Sequence, residues 1–383
     1  MIKDLSISKI FTSCNSRTIK ISIKTEKGIF SASSPLGTSK GKHEAKILNV
    51  NTIVKNFPKI KKKFIRKNER DIDKIIEKIG IEIIGANLSL VLSIAGLRAS
   101  SNNNVYKFLN PSAKTFPYPL GNVIGGGAHK GYTSEQEFLV TNKAKTIKEA
   151  IATNFSIWKE IGKVLKSRNI LIGNNYEGAW MCKLNDIDTL DLLSKVTEQS
   201  GGRIGIDFAS NQIYKKGKYF YLHPERKLSP EEQLEFVLDL IKTYNLFYVE
   251  DPFHDNDFEH FSELTRKSKC LVVGDDIFAT QPSRIKLGVK TKAGNAIIIK
   301  PDQVGTLSKT LKTVKIAKKA NFKTVVSHRS CDTSDSFISD LAVGIESPII
   351  KCGIYGRERK AKLDRLEKIW KKVENPRMSK LFI

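Results

Sequence analysis

Arg203-Ile-Gly-Ile-Asp207, Leu246-Phe-Tyr-Val-Glu250, Cys270-Leu-Val-Val-Gly-Asp275, Ala296-Ile-Ile-Ile-Lys300, Thr324-Val-Val-Ser-His328 and Pro348-Ile-Ile-Lys351 decide how the fold is read. Each run is short and rich in β-branched residues, and each ends on a polar side chain capable of chemistry. Such runs read as buried strands. Their last residues follow one another at intervals of 43, 25, 25, 28 and 23 positions. About 25 residues accommodate one strand, one helix and two short loops. The longer first interval has room for a hairpin around Lys216-Gly217 and a helix. That helix starts with Ser229 as N-cap, Pro230 at its first position and Glu232 completing a capping box.

Strands that alternate with helices pair in parallel. In a β/α barrel their C-terminal ends open onto one face, so Asp207, Glu250, Asp275, Lys300, His328 and Lys351 share a mouth. An open doubly wound sheet has the same periodicity but spreads these groups along an edge. The barrel is the favoured α/β architecture, preceded by a smaller α+β capping domain. The domain boundary is placed between 116 and 117, because Pro111 and Phe116-Pro-Tyr-Pro-Leu120 punctuate the chain there. Upstream, Thr18–Lys24 alternates with period two, Glu26-Lys-Gly28 closes a turn, and helical patterns cover Arg70–Ile79 and Asn87–Ser100.

The bulk composition narrows the function class. A chain of 383 residues with 40% hydrophobic content buries a full core. No run approaches the roughly 18–20 apolar residues of a membrane span, and the N-terminus lacks the apolar region of a signal peptide. Five cysteines, odd in number and without a C-x-x-C pair, argue against a disulfide framework or a zinc site and fit a reducing cytoplasm. The formal net charge of +25 attracts anionic small molecules or nucleic acid, and its densest run is Lys59–Arg70. That run equally reads as a solvated surface.

Three carboxylates on consecutive strands, unmixed with cysteine or histidine, suit a hard cation such as Mg²⁺. Taken singly, each also reads as a cap for the following helix. Lys300 is the candidate base, its pKa expected to be lowered by burial and a nearby metal, with Asp276 orienting it. Abstracting a proton next to a carboxylate creates a highly charged ene-diolate, which needs cations close by. Lys351 supplies one, while Arg329 and Ser330 are placed to hold a phosphate.

These motifs, in order along nearly the whole chain, resemble enolase. Gly37-Thr-Ser-Lys-Gly-Lys-His-Glu-Ala45 is similar to that family's mobile loop. Gly126-Gly-Ala-His129, Gln136-Glu-Phe138, Ile206-Asp-Phe-Ala-Ser210, Glu250-Asp-Pro-Phe253, Asp275-Asp276, Lys300, Ser327-His-Arg-Ser330, Lys351 and Arg357-Glu-Arg359 follow. The resemblance implies Mg²⁺-dependent interconversion of 2-phosphoglycerate and phosphoenolpyruvate. It places two ions per site, the first on Asp207, Glu250 and Asp275 and the second reached by Ser39. It makes Lys300 the base at C2 and Glu177 the acid, supported by Glu137. Lys351 contacts the substrate carboxylate, Arg329 and Ser330 the phosphate, and His129 and His328 line the pocket. It further implies a cytoplasmic homodimer or higher homo-oligomer.

Several segments depart from the family pattern. The acid segment usually reads Gly-Asp-Glu-Gly-Gly but is Gly173-Asn-Asn-Tyr-Glu-Gly178 here. Cys331-Asp332 replaces Gly-Glu, and Ser13-Cys-Asn-Ser-Arg17 replaces Ser-Arg-Gly-Asn-Pro. Two alternatives therefore stay open. One is a paralogue using the same chemistry on another carboxylate, motivated by residues 174–183. The other is a non-catalytic scaffold whose basic run, Lys59–Arg70, holds nucleic acid.

Overall fold

The computed structural model describes residues 1–38, 41–129 and 131–381. Its N-terminal part is an antiparallel sheet of Asp4–Phe11, Arg17–Thr25 and Gly28–Ser33. Ile19, Ile21 and Ile23 alternate along the central strand and are fully buried. They belong to a core that includes the helix Ala86–Ser101, which lies across this sheet. The helix Ile72–Ile79 stops at Gly80, whose φ of 96° favours glycine and whose N–H reaches the Ile76 carbonyl.

Eight strands close the barrel: Tyr118–Gly125, Glu137–Asn142, Gly202–Asp207, Tyr248–Glu250, Leu271–Gly274, Ala296–Ile299, Lys323–Ser327 and Ile349–Lys351. The last pairs with the first, Lys351 opposite Leu120, so no edge remains. Leu120, Leu139, Tyr248, Val273, Ile298, Val325 and Ile349 fill the interior as a core of their own. The hairpin at Lys216-Gly217 and the capping box of Ser229 and Glu232 form as the sequence predicts.

Six of the eight strands carry the quoted runs. The first two do not, and one of them breaks the expectation of parallel pairing, since the Glu137 strand runs antiparallel to both neighbours. Both are buried on every residue and therefore show no alternation to read.

The cysteines also correct the sequence reading. Cys14 and Cys331 form a disulfide across 317 positions, while Cys182, Cys270 and Cys352 are free and buried. Ser13 N–H donates to the Asp332 carbonyl at 2.9 Å, so the N-terminal turn and the segment after Ser330 lie against each other. Among the described residues, no helix is long and apolar enough to cross a membrane.

Candidate active site

Strand register alone assembles the acidic floor of the mouth. Glu137 pairs opposite Asp207, and Asp207 opposite Glu250, so three carboxylates stand in one row across adjacent strands. Lys351 reaches this row with Nζ 2.7 Å from Asp207, 2.9 Å from Glu250 and 3.1 Å from Glu137. Burial, reinforced by Asp207, pushes Glu250 up to about 8. Burial and then the Glu177 charge raise Glu137 well above the usual carboxylate range. Burial opposes the Lys351 charge, yet Asp207, Glu137 and Glu250 outweigh it and hold that ammonium well above its ordinary value.

The next strands add Asp275 and Lys300, which form an ion pair, while Gln303 Nε2 donates to Asp275 at 2.9 Å. Burial works to lower Lys300, but Asp275 reverses the sign and raises it. These residues by themselves therefore hold the lysine high, because its partner is a carboxylate, and the expected depression depends on a metal at Asp275. Asp276 does not pair with Lys300 as predicted. It accepts from Asn211 Nδ2 at 2.8 Å, and burial followed by Asp275 lifts it to about 6.

The donor chemistry suits a divalent cation. Among the described residues, Glu250 Oε1 is buried with no hydrogen-bond partner, which is costly unless something supplies positive charge. Among the described residues, the trio whose carboxylate oxygens all lie within 4.8 Å of one another is Asp251, Asp275 and Asp276 rather than the expected Asp207, Glu250 and Asp275. Asp251 is already engaged, since it accepts from the N–H groups of Asp275 at 2.9 Å and Asp276 at 2.7 Å. It shapes the turn that presents Asp275, a role the sequence signalled only by its place in Glu250-Asp-Pro-Phe253.

Glu177 sits on the turn of a hairpin, Leu171–Asn174 with Trp180–Cys182, that joins the barrel where Trp180 pairs with Ile124. Asn175 accepts from the N–H groups of Glu177 at 2.9 Å and Ala179 at 3.0 Å, so this turn absorbs the altered acid segment. Glu177 is buried, accepts from Asn122 Nδ2 at 3.1 Å and lies 3.7 Å from His328 Nε2. Burial and then Arg359 depress His328 well below the usual imidazole range, keeping it neutral.

The third wall is cationic. Arg329 lies 3.2 Å from Glu44 and 3.3 Å from Asp302, two acids the sequence reading missed. Burial, with Glu44 adding to it against the pull of Arg329, lifts Asp302 to about 6. Ser330 Oγ accepts from the Thr38 N–H at 2.9 Å, bringing the Gly37 loop to the barrel mouth. Gly37 packs so closely that a Cβ there would overlap the Arg329 guanidinium. Ser39 lies outside the described residues, as does the side chain of His129.

One cavity of about 520 Å³ gathers Glu137, Glu177, Asp207, Asp275, Lys300, His328, Arg329, Ser330 and Lys351. Its seven acidic residues outnumber Lys300, Arg329 and Lys351. The pocket is thus acidic inside a chain of net charge +25, which favours a cation ahead of an anionic substrate.

The family model described as "Enolase, C-terminal TIM barrel domain" matches residues 113–377. Relatives named enolase are similar to the chain over nearly its whole length. That of Picrophilus torridus is 37% identical, covering 96% of this chain and 98% of its own. That of Archaeoglobus fulgidus is 37% identical over 99% of each. That of Methanosphaera stadtmanae is 37% identical over 100% of this chain and 99% of its own.

Proposed function

The chain belongs to the enolase family, and from that membership we propose that it is a lyase interconverting 2-phosphoglycerate and phosphoenolpyruvate. The observation that carries the proposal is that a half-buried lysine, Lys300, and a buried carboxyl, Glu177, face one acidic cavity from different walls. A dehydration needs one group to take a proton and another to give one.

In the forward direction neutral Lys300 takes the proton from C2. The charge left on the substrate carboxylate rests beside the Lys351 ammonium. Glu177 delivers a proton to the C3 hydroxyl, which departs as water as the C2–C3 double bond forms, and Glu137 supports it from the neighbouring strand. Arg329 and Ser330 hold the phosphate, with His129 and His328 completing the pocket. A divalent cation, Mg²⁺ by the donor set, would be held by Asp207, Glu250 and Asp275 and would supply Lewis-acid stabilisation of the developing negative charge. Burial, Arg329 and Lys351 all act to lower Lys300, whereas Asp275 and Glu250 raise it. The two residues that oppose the base are therefore proposed cation ligands, whose charge a metal neutralises.

The same membership supports a second ion reached by Ser39, a cytoplasmic homodimer or higher homo-oligomer, and a division into residues 1–116 and 117–383. The reaction is tested by incubating purified protein with 2-phosphoglycerate and Mg²⁺, with and without a chelator. Chelator-sensitive phosphoenolpyruvate is the expected result. No product from folded, Mg²⁺-bound protein would turn the assignment toward a paralogue with another carboxylate substrate.

A further inference from the structure

Arg359 stands in the first turn of the helix Arg357–Trp370 and is fully buried although its charge is permanent. Its guanidinium donates from Nη1 to His328 Nδ1 at 2.8 Å and to the Arg329 carbonyl at 2.7 Å. From Nη2 it donates to the Ser330 carbonyl at 2.6 Å and to the Tyr176 carbonyl at 3.2 Å. The Asp332 carboxylate, 3.6 Å away, supplies counter-charge. One side chain thus holds two separate loops, the 328–330 segment on the phosphate side and the turn that carries Glu177.

The contact with His328 has a chemical consequence. A guanidinium cannot give up its proton, so Nδ1 of His328 must accept. In the neutral ring the proton then resides on Nε2, the nitrogen that lies 3.7 Å from Glu177 Oε2. Gly353 N–H also points at Nδ1, at 3.4 Å, and reinforces the same tautomer. Close packing completes the joint, since a Cβ on Gly353 would come within 2.6 Å of the Glu177 carbonyl oxygen.

We propose that Arg359 is a positioning residue for the proton-donating half of the reaction. Its fork fixes His328 as the Nε2–H tautomer and registers the Glu177 turn against the Arg329-Ser330 loop. Proton abstraction by Lys300 sits on another wall, so with substrate saturating it is the step that Arg359 does not position. The inference rests on the reading of Glu177 as the acid, so one of its readouts requires no turnover.

That readout is ¹⁵N NMR of histidine-labelled protein, with His328 assigned through His328→Gln. Wild-type protein should show one neutral Nε2–H tautomer. Arg359→Met, and Arg359→Lys as the variant that keeps the buried charge, should show mixed or reversed tautomers. A lysine cannot span the four acceptors that the arginine fork reaches. An unchanged tautomer in Arg359→Lys overturns the inference, even if Arg359→Met does not fold. The second readout compares hydrogen exchange at C2 of 2-phosphoglycerate in D₂O with phosphoenolpyruvate formation. In Arg359→Lys, exchange should stay within roughly fivefold of wild type while dehydration falls about 100-fold or more, the scale of a misplaced general acid. Parallel loss of both steps overturns the inference, because it marks a general structural defect. If wild-type protein turns over no 2-phosphoglycerate, the functional reading fails while the tautomer result still decides the role of Arg359.

Discussion

Replacing Lys351 by methionine removes an ammonium that Glu137, Asp207 and Glu250 share at 2.7–3.1 Å while keeping the length of the side chain. At about 3 Å and an effective dielectric near 20, each contact is worth about 5 kcal/mol before desolvation is deducted. Most of that cancels, and truncating one partner of a buried pair costs about 3–5 kcal/mol. The cost must depend on pH. Glu250 titrates at about 8 in the fold against a usual value of 4.5, and Lys351 is among the groups holding it down. Without Lys351, Glu250 and Glu137 bind protons even more tightly in the folded protein. A carboxyl whose folded pKa is raised binds more protons folded than unfolded, so its presence lowers stability as pH climbs from about 4.5 through the folded value. Lys351→Met should therefore unfold close to wild type at pH 5. By pH 9 it should fall behind wild type by about 1–3 kcal/mol, because each carboxyl that stays protonated in the variant but ionises in wild type costs about 1.4 kcal/mol per pH unit above about 8. Urea titrations at both pH values, with a chelator present, measure this. A deficit that is constant with pH, or largest at pH 5, would refute the idea that the buried row depends on this ammonium.

Two further outcomes follow from contacts around the mouth. Gly37→Ala places a methyl on the Arg329 guanidinium. It should raise KM for the phosphorylated substrate about tenfold, on the scale of a lost charge-assisted hydrogen bond, with little change in unfolding midpoint; an unaltered KM would separate Arg329 from substrate binding. Reducing the Cys14–Cys331 bridge releases a 317-position loop. A chain-entropy treatment gives about 6 kcal/mol for its closure. Reduced wild type and Cys14→Ser should share one lowered urea midpoint, whereas equal oxidised and reduced midpoints would show that the bridge does not constrain the chain.

The barrel was legible where burial and chemistry meet at a strand end. Runs such as Ala296-Ile-Ile-Ile-Lys300 announce both a buried strand and a functional terminus, and all six deliver their last residue to the mouth. The Tyr118 strand is hidden by Pro117 and Pro119, which read as punctuation. Local pattern says nothing about partners distant in sequence. The Cys14–Cys331 bridge, the pairing of Arg329 with Glu44 and Asp302, and the fork of Arg359 all join segments that only the closed fold brings together. The ion pair of Lys300 with Asp275, on the adjoining strand, is hidden from the sequence for the same reason. Glu177 could be placed only through the family resemblance, and its hairpin explains why the altered turn still carries it to the pocket.

The assignment of Lys300 as base and Glu177 as acid is tested most directly by hydrogen exchange at C2 of 2-phosphoglycerate in D₂O, measured with Mg²⁺ on wild type, Lys300→Ala and Glu177→Gln. The expected result is exchange in wild type and in Glu177→Gln, with phosphoenolpyruvate formation lost in the latter, and neither reaction in Lys300→Ala. Exchange at the wild-type rate in folded Lys300→Ala would contradict the assignment, because another group would then be taking the proton.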